Sequence, residues 1–322
     1  MNLLVLIAEP EQSGLRLERL GTLFPGLVVH VARSVDEAMP LIGAVDILIT
    51  LPPHLGSQAA QLFAAATRLK WVQLVTTGSD NVREYLEGSN VVLTSARGLH
   101  GHQMSEAAIA AMLGLARQVP RLLRNQQDQR WQRFPAQLLN GKTAAIIGLG
   151  AIAETLAPML KIFGMHVVGY SGSSRPVAGF DEVRARSTLA ATVGDVDHLI
   201  VLAPLSLDTA GLVHGAVFAG MKPSAFLINL ARGGIVDEAA LLDALNRDAL
   251  AGAALDVFAT EPLPADNPLW RHPHIIVTPH AGGLHDGYQR DILDLAVENL
   301  RHFLAGEPLR NPIDLSPRRA LQ

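Results

Sequence analysis

The sequence predicts an α/β protein built on two parallel, doubly wound sheets. Short apolar runs alternate with helix-length segments through the first hundred residues and again through residues 140–278, a pattern typical of parallel strands joined by helical crossovers. A Gly-rich turn directly follows one of these runs, and single polar residues follow several others. Because ligands bind outside the carboxyl ends of parallel strands, this order predicts a binding site along one sheet edge.

The composition indicates a folded protein with neither nucleic acid nor a membrane as its main partner. At 322 residues the chain is long enough for two domains with separate cores, and only 17% of its residues are charged, which argues against disorder. A net charge of −4 without a cluster of Lys and Arg argues against nucleic acid and acidic membranes. The absence of cysteine excludes disulfides and fits a cytoplasmic location. No apolar run approaches the roughly 20 residues that span a bilayer.

The first part of the chain is predicted to form one of the two sheets. Its strands are expected at residues 3–8, 27–31, 46–50, 71–75 and 91–94. A single long helix is predicted at about residues 103–127, where apolar residues recur at helical spacing. The polar segment 117–133 is interpreted either as a solvated connector or as an arm that reaches a second copy of the chain.

The second sheet is predicted to have six strands, at residues 143–147, 166–170, 198–203, 225–230, 252–257 and 275–278. Six strands joined by crossovers match a complete dinucleotide-binding sheet. Pro158 lies in the predicted helix after the Gly-rich turn and should kink it or make its first half irregular, because proline donates no backbone hydrogen bond. A last helix is expected at about residues 287–304, packed on the N-terminal unit.

The Gly-rich turn has the sequence GLGAIA at residues 148–153. Gly148 permits a tight turn, Gly150 lets the backbone approach a pyrophosphate, and the small Ala153 lets helix and strand pack closely. Taken alone the pattern also fits an ordinary turn, but the strand before it and the helix after it favour a phosphate site at a helix N-terminus. The residues expected to bind the cofactor here are Gly148, Gly150, Ala151 and Ile152.

The end of the second strand of this sheet bears on the choice between NAD and NADP. An NAD site usually presents a carboxylate to the ribose hydroxyls about 20 residues after the turn. In this chain the first carboxylate after the end of the second strand is Asp181. The hydroxyl and cationic residues present instead are Ser171, Ser173, Ser174 and Arg175. Arg175 either faces solvent or forms charge-assisted bonds with a 2′-phosphate. We therefore predict that NADP(H) is preferred and that NAD(H) is possible.

Together, four segments resemble the D-isomer-specific 2-hydroxyacid dehydrogenases: residues 148–153, 229–237, 254–263 and 278–283. The resemblance covers nearly the whole chain. It implies a usually homodimeric oxidoreductase similar to glyoxylate/hydroxypyruvate reductases, with its site in a cleft between two domains. It also implies a flavodoxin-like substrate domain, residues 1–98 plus 286–322, with an inserted Rossmann domain, residues 99–285.

The resemblance assigns roles to four side chains. Arg232 would bind the substrate carboxylate and carbonyl, since a planar guanidinium holds two oxygens at once. His280 would be the general acid in reduction and the base in oxidation. Glu261 would orient this imidazole and stabilise its protonated form. A glutamate at this place in the family pattern also argues against formate as the substrate. Asp256 would accept a hydrogen bond from the cofactor carboxamide or support Arg232; alternatively, it caps the end of its strand.

Substrate contacts are also expected from the N-terminal sheet. Thr77 and Gly78 would offer backbone N–H groups to the substrate carboxylate, although an ordinary turn also fits, and Leu51 would form an apolar wall. The pairs His100/His102 and His272/His274 lack a matching set of ligands, so no metal site is expected. The further cofactor contacts expected are Ala203, Pro204, Thr209, Leu230, Ala231, Asp256 and Gly282.

These residues predict hydride transfer from NADPH to a small 2-oxoacid, giving a D-2-hydroxyacid. Glyoxylate, hydroxypyruvate and short-chain 2-oxoacids suit the expected pocket, while phosphoglycerate and phosphite remain alternatives. A different class of function also stays open: a dinucleotide-sensing binding protein or corepressor on the same scaffold, without turnover. That rival does not need the acid–base pair of Glu261 and His280.

Overall fold

The chain divides into two units, each with its own parallel sheet and core. The computed structural model describes residues 1–8, 17–173 and 175–316. Unit 1 comprises Met1–His100 and His285–Gln322, and unit 2 comprises Gly101–Leu284. Two parallel α/β sheets confirm the predicted fold class. None of the helices in the described part of the chain has the length and apolar character needed to cross a membrane.

Unit 1 holds a five-stranded parallel sheet with the order β2-β1-β3-β4-β5. Its strands are β1 (Asn2–Leu6), β2 (Val28–Ala32), β3 (Ile47–Thr50), β4 (Trp71–Leu74) and β5 (Val92–Thr94). Its helices are α1 (Leu17–Leu23), α2 (Val35–Ile42), α3 (Ala59–Ala65), α4 (Asp80–Leu86) and the C-terminal helix Tyr288–Ala305. All residues of β3 and β4 are buried, as expected for parallel strands covered on both faces.

The C-terminal helix covers one face of this sheet. Its buried residues Leu293 and Leu300 belong to the same apolar cluster as Leu3, Ile47 and Trp71. The indole of Trp71 also donates a 2.8 Å hydrogen bond to the hydroxyl of a β5 threonine, so the largest side chain of the cluster has its polar atom satisfied. The last segment of the chain is therefore part of the core of unit 1.

Unit 2 holds a seven-stranded parallel sheet with the order β12-β11-β10-β9-β6-β7-β8. Its strands are β6 (Thr143–Ile147), β7 (His166–Ser171), β8 (Glu182–Ala185), β9 (His198–Val201), β10 (Phe226–Asn229), β11 (Gly252–Leu255) and β12 (Ile275–Val277). Its helices are α5 (Gly101–Ala116), α6 (Val119–Gln127), α7 (Ala151–Ile162), α8 (Leu189–Thr192), α9 (Gly215–Gly220) and α10 (Glu238–Asn246). The strand order reverses between β6 and β9, which is where dinucleotides bind in such sheets.

The single helix predicted at residues 103–127 is wrong, because the chain forms α5 and α6 with a break between them. Gln118 at the break has a left-handed backbone, with φ of 54°. Pro120 explains the break: it has no N–H for the carbonyl of Ala116, and it lies in the first turn of α6, where a backbone N–H has no partner within the helix. The Ala116 carbonyl instead accepts from the backbone N–H of Gln137 at 2.9 Å.

Two further expectations for unit 2 differ from the structure. Helix α7 is continuous from Ala151 to Ile162 with Pro158 inside it, so its first half is not irregular, contrary to one of the two predicted outcomes. Pro158 and Glu154 both lie on the exposed side of the helix, where water can satisfy the Glu154 carbonyl that lacks a helical donor. The sheet also has one more strand than the six predicted, because β8 pairs with β7 at the edge. The β8 sequence, EVRA, has only four residues, none of them buried, and two of them are charged, which gives too short and too weak an apolar signal to be recognised.

Candidate active site

The turn after β6 is in close contact with the segment that follows β9. Gly148 has φ of +96°, and a Cβ at this position would lie 2.5 Å from the backbone nitrogen of Ala203. A side chain at this position would therefore be both strained and blocked. The close approach joins the ends of two neighbouring strands at the point where the strand order reverses. Ala203 itself is buried.

The N-terminus of α7 is open to a ligand. Gly150 is the N-cap and makes no side-chain capping hydrogen bond. Apart from Gly150 and its two chain neighbours, no heavy atom of the described residues lies within 4 Å of where its Cβ would be. Ala151 is exposed and Ile152 is half-buried in the first turn. Uncapped N–H groups at the start of a twelve-residue helix suit an anion, so this turn fits the phosphates of a dinucleotide.

The end of β7 carries hydroxyl groups and no carboxylate among its described residues. The backbone N–H of Ser173 donates to the hydroxyl of Ser171 at 3.2 Å, and the side chain of Arg175 is exposed. Ser174 lies outside the described residues. Asp181 is engaged at the opposite end of β7, where it accepts from the Val167 N–H at 2.8 Å. A lysine hydrogen bond and this N–H hold the pKa of Asp181 below its usual value.

The loop after β9 is closed by its own threonine. Thr209 is 1% exposed, and its hydroxyl donates to the Pro204 carbonyl at 2.6 Å. The same hydroxyl accepts from the Ser206 N–H at 2.8 Å. Pro204 is exposed. Of the two cofactor contacts predicted here, Pro204 therefore lies on the surface of the loop, while the hydroxyl of Thr209 is engaged in keeping the loop folded.

A buried asparagine shapes the turn that carries Arg232. Asn229 is 1% exposed at the end of β10, and Leu230 and Ala231 after it are also buried. The Asn229 side chain accepts from the Ala231 N–H at 3.2 Å and donates to the Arg232 carbonyl at 3.1 Å. The Arg232 guanidinium is half-buried and donates to the Ala231 carbonyl at 2.7 Å. Its backbone is thus fixed from within the turn.

The Arg232 turn packs directly on the loop that follows β11. A Cβ on Gly233 would overlap the backbone of Phe258 and Ala259, so only glycine fits there. Glu238, at the start of α10, accepts from the Ala259 N–H at 2.6 Å. Sequence reasoning missed the support given by Asn229 and Gly233, because these contacts involve the packing of neighbouring loops.

The loops after β11 and β12 bring a histidine and a glutamate together. His280 Nδ1 lies 2.7 Å from Glu261 Oε2, and the two side chains are 49% and 35% exposed. The other oxygen of Glu261 accepts from the Phe258 N–H at 2.9 Å, which fixes the carboxylate. Because a carboxylate only accepts hydrogen bonds, Nδ1 carries the proton and Nε2 is the ring nitrogen left for proton exchange.

Asp256 holds the loop on which His280 lies. It is 2% exposed, and its carboxylate accepts from the N–H groups of Ala281 and Gly282, both at 2.9 Å, and from the Thr278 hydroxyl. The His280 N–H donates to the Asp256 carbonyl at 2.8 Å. His280 has φ of 53°, a conformation that this set of hydrogen bonds maintains. Asp256 thus makes the strand-end contacts that were one of its predicted roles.

The predicted substrate residues of unit 1 follow neighbouring strands. Leu51 follows β3, and Thr77 and Gly78 come after β4. The hydroxyl of Thr77 forms a 2.8 Å hydrogen bond with His100 Nδ1, and the Gly78 carbonyl accepts from a neighbouring threonine hydroxyl at 3.1 Å. Burial lowers the pKa of His100, so its neutral form is favoured. Sequence reasoning did not assign His100 a role.

The arrangement in unit 2 can hold a dinucleotide and move a proton along one sheet edge. The phosphate turn follows β6, the arginine follows β10, and the acid–base pair follows β11 and β12, all at carboxyl ends of parallel strands. Among the described residues, no group of three or more His, Cys, Asp or Glu could hold a metal ion. The distinctive chemistry on this edge is the imidazole–carboxylate pair beside an arginine turn.

Comparison with known proteins places the chain in a family. Residues 109–282 match the family model described as "D-isomer specific 2-hydroxyacid dehydrogenase, NAD binding domain". A solved D-isomer specific 2-hydroxyacid dehydrogenase family protein from Aeromonas salmonicida is 35% identical, with a TM-score of 0.87 over 98% of this chain and 99% of that one. A second solved structure is the NADPH-dependent glyoxylate/hydroxypyruvate reductase from Sinorhizobium meliloti in complex with NADP and sulfate. It is 27% identical, with a TM-score of 0.84 and 98% of both chains covered.

Curated relatives give the same family. Glyoxylate/hydroxypyruvate reductase A from Serratia proteamaculans is 32% identical over 275 residues, which is 83% of this chain and 85% of that protein. The chain spans about half the length, 47%, of the D-3-phosphoglycerate dehydrogenase from Mycobacterium bovis, to which it is 35% identical over 252 residues and 77% of its own length. The predicted resemblance is therefore confirmed: this chain belongs to the family of D-isomer specific 2-hydroxyacid dehydrogenases.

Proposed function

We propose that this chain is an NAD(P)-dependent reductase that interconverts a small 2-oxoacid and its D-2-hydroxyacid, with NADP(H) preferred. The observation that carries the proposal is the 2.7 Å contact between His280 and Glu261, on the same sheet edge as the phosphate turn. Unit 2 serves as the dinucleotide-binding domain and unit 1 as the substrate domain. A dinucleotide sensor without turnover is not favoured, since the family is one of dehydrogenases.

The proposed chemistry assigns one step to each group. When bound at the phosphate turn, NAD(P)H would supply the hydride that reduces the carbonyl carbon of the 2-oxoacid. Arg232 binds the carboxylate and the carbonyl oxygen, where it stabilises the negative charge that develops. His280 Nε2 donates the proton that this oxygen takes up, and Glu261 fixes the ring through its 2.7 Å contact with Nδ1. Oxidation of the hydroxyacid reverses the proton transfer, with His280 as the base.

The preference for NADP(H) is proposed from the end of β7. Ser171, Ser173 and Arg175 stand where an NAD site usually has a carboxylate, and the next carboxylate, Asp181, is engaged at the other end of that strand. A 2′-phosphate can accept hydrogen bonds from hydroxyl and guanidinium groups. The Sinorhizobium meliloti structure, whose protein is described as NADPH-dependent, contains NADP.

The proposed substrates are small 2-oxoacids such as glyoxylate and hydroxypyruvate. Two of the compared proteins are described as glyoxylate/hydroxypyruvate reductases. Leu51 gives the substrate domain a modest apolar wall, and Thr77 and Gly78 are proposed to bind the carboxylate. Phosphoglycerate is the competing substrate class, because the relatives include D-3-phosphoglycerate dehydrogenases.

We also propose that the chain forms a homodimer in solution. The support is a set of apolar side chains exposed on and after α6: Leu122, Leu123 and Trp131 are 45%, 54% and 92% exposed. Exposed apolar groups in one segment are typical of protein interfaces. Light scattering coupled to size exclusion measures the mass directly, and a monomer at micromolar concentration would contradict the proposal.

Oxidation of NADPH and of NADH by the purified protein, followed by absorbance against 2-oxoacids from glyoxylate to phenylpyruvate and 3-phosphohydroxypyruvate, tests this function. We expect turnover of a small 2-oxoacid with a higher kcat/KM for NADPH. His280→Ala should lower kcat at least about 10²-fold while dinucleotide binding persists, and Arg232→Lys should be severe because a point charge cannot replace the guanidinium fork. The exposed His274→Gln is the matched control and should retain activity.

Three results would count against the proposal, each in a different way. Tight dinucleotide binding without turnover of any 2-oxoacid would favour a binding protein. Full activity of His280→Ala would remove this residue from the proton transfer. An equal or higher kcat/KM with NADH would reject the cofactor preference while leaving the reaction class intact.

A further inference from the structure

A second arginine lies on the turn at the end of β7. The position of a Cβ on Gly172 would be 3.5 Å from Nη2 of Arg186 and 3.8 Å from its Cζ. The guanidinium therefore lies against Gly172, between Ser171 and Ser173. Arg186 follows the β-strand that the sequence did not predict, and nothing in the sequence motifs singles it out.

The pairing of β7 with β8 explains this contact. In the parallel register, Ser171 is the partner of Ala185. Since the two strands run in the same direction, the residues after this pair, Gly172 and Arg186, leave the sheet side by side. The backbone then turns into a short 3₁₀ helix that begins at Arg186. The position of the guanidinium is thus set by the sheet register rather than by a loop alone.

The surroundings of Arg186 differ from those of Arg184 in the same segment. Arg184 is held by bidentate contacts to Glu182 and to Asp195, with distances of 2.7–2.9 Å. Arg186 has an ion pair with Asp208 at 3.2 Å, and the Asp208 side chain is 71% exposed. An ion pair with an exposed partner is weak in water. A strong anion can therefore compete with Asp208 for Arg186, whereas Arg184 is committed to its structural partners.

We infer that Arg186 binds the 2′-phosphate of NADP(H) as a second guanidinium at the end of β7. The inference rests on the proposed NADP(H) preference and adds to it a residue that sets that preference. Arg186 is 23% exposed at its side chain, so it is held in place before the ligand arrives. A phosphate dianion gains charge-assisted hydrogen bonds there, while the 2′-hydroxyl of NAD(H) carries no charge for it to bind.

Asp208 allows the proposed subsite to be tested by the direction in which phosphate affinity changes. Its carboxylate keeps the guanidinium over Gly172 when no phosphate is present, but it also repels an incoming phosphate. Removing its charge while keeping its shape, in Asp208→Asn, should therefore strengthen binding of a 2′-phosphate. Removing the guanidinium in Arg186→Gln should weaken it. Opposite effects from two contacting residues are not expected if the pair only supports the local fold.

Titration calorimetry with two nucleotide probes separates the 2′-phosphate from the rest of the cofactor. The probes are adenosine 2′,5′-bisphosphate and adenosine 5′-monophosphate, added to the full-length protein. We expect Arg186→Gln to weaken the bisphosphate about tenfold or more and to leave the monophosphate unchanged. Arg186→Lys should restore part of the loss. The control is Arg247→Gln, which removes an exposed arginine paired with Asp243 at 2.6 Å and should change neither affinity.

The outcomes distinguish this inference from the proposed function. If the unmodified protein binds the two probes equally, the NADP(H) preference fails and the inference fails with it. If it prefers the bisphosphate but Arg186→Gln keeps the same ratio of affinities, Arg186 is only structural and the preference stands on Ser171, Ser173 and Arg175. Loss of both probes in Arg186→Gln, with Arg186→Lys giving no selective recovery, would also reject a role specific to the phosphate.

Discussion

A buried histidine should make the stability of unit 2 depend on pH. His198, in β9, is 0% exposed, and neither of its ring nitrogens has a hydrogen-bond partner among the described residues. Its ring packs against that of Phe226, with centroids 5.3 Å apart. Burial lowers the pKa of His198 from 6.5 to about 4, with the nearby Asp197 acting in the opposite direction and Lys142 in the same one.

The sign and size of the effect follow from this shift. The unfolded chain takes up a proton at His198 near pH 6.5, whereas the folded protein resists protonation until about pH 4. Stability is therefore fully present above pH 6.5 and is lost as the pH falls from 6.5 to 4. At 1.36 kcal/mol per pH unit the complete loss is about 3 kcal/mol, of which about 2 kcal/mol is reached at pH 5.

Urea unfolding at a series of pH values between 8 and 5 measures this contribution. His198→Leu removes the titrating group and the two unpartnered nitrogens while keeping an apolar side chain of similar size. We expect the difference in free energy of unfolding between variant and parent to grow by about 2 kcal/mol as the pH falls from 8 to 5. The exposed His274→Gln is the control. A difference that stays constant over this range would refute the assignment of a buried neutral imidazole.

Three other predictions concern the packing of the site. Gly148→Ala should weaken dinucleotide binding at least about tenfold in a fluorescence titration, because the new Cβ meets the backbone of Ala203; unchanged affinity would contradict the tight turn. Asn229→Ala should raise KM for the oxoacid more than for NADPH, because it frees the turn that holds Arg232; equal effects on both would indicate general unfolding. Thr209→Val should cost about 1–3 kcal/mol in urea unfolding, and an unchanged stability would contradict its place in the loop.

Local sequence pattern was sufficient for elements with a strong apolar signal. The strand Thr143–Ile147 was predicted with the bounds it has, because a buried central strand is continuously apolar. The polar edge strand β8 gives no such signal. The break between α5 and α6 depends on Pro120, which the helical spacing of apolar residues does not take into account, and on the Gln137 backbone N–H, which replaces the missing donor. That contact is tertiary and has no local pattern.

The candidate site also combines residues that sequence motifs predict with residues whose role depends on tertiary contacts. Its chemistry-bearing residues were found from motifs at strand ends, and the roles of Arg232, Glu261 and His280 remain proposals. The residues that hold them could not be found this way. Gly233 matters because the Phe258 backbone occupies the space of a side chain, and Arg186 reaches Gly172 through the register of a strand that was not predicted. Such contacts depend on which strands are neighbours in the sheet, and local sequence patterns do not reveal the strand order.

The split composition of unit 1 has a consequence for folding during synthesis. The side of its sheet formed by Leu3, Ile47 and Trp71 is completed by the C-terminal helix, which is made only after all of unit 2. At about 5–20 residues per second, roughly 200 intervening residues take about 10–40 s to synthesise. During that interval unit 2, whose segment is continuous, can fold on the ribosome. The first hundred residues must meanwhile leave part of this apolar face uncovered, because before the C-terminal helix is made only residues such as Leu20, Phe24 and Leu27 are available to pack on it.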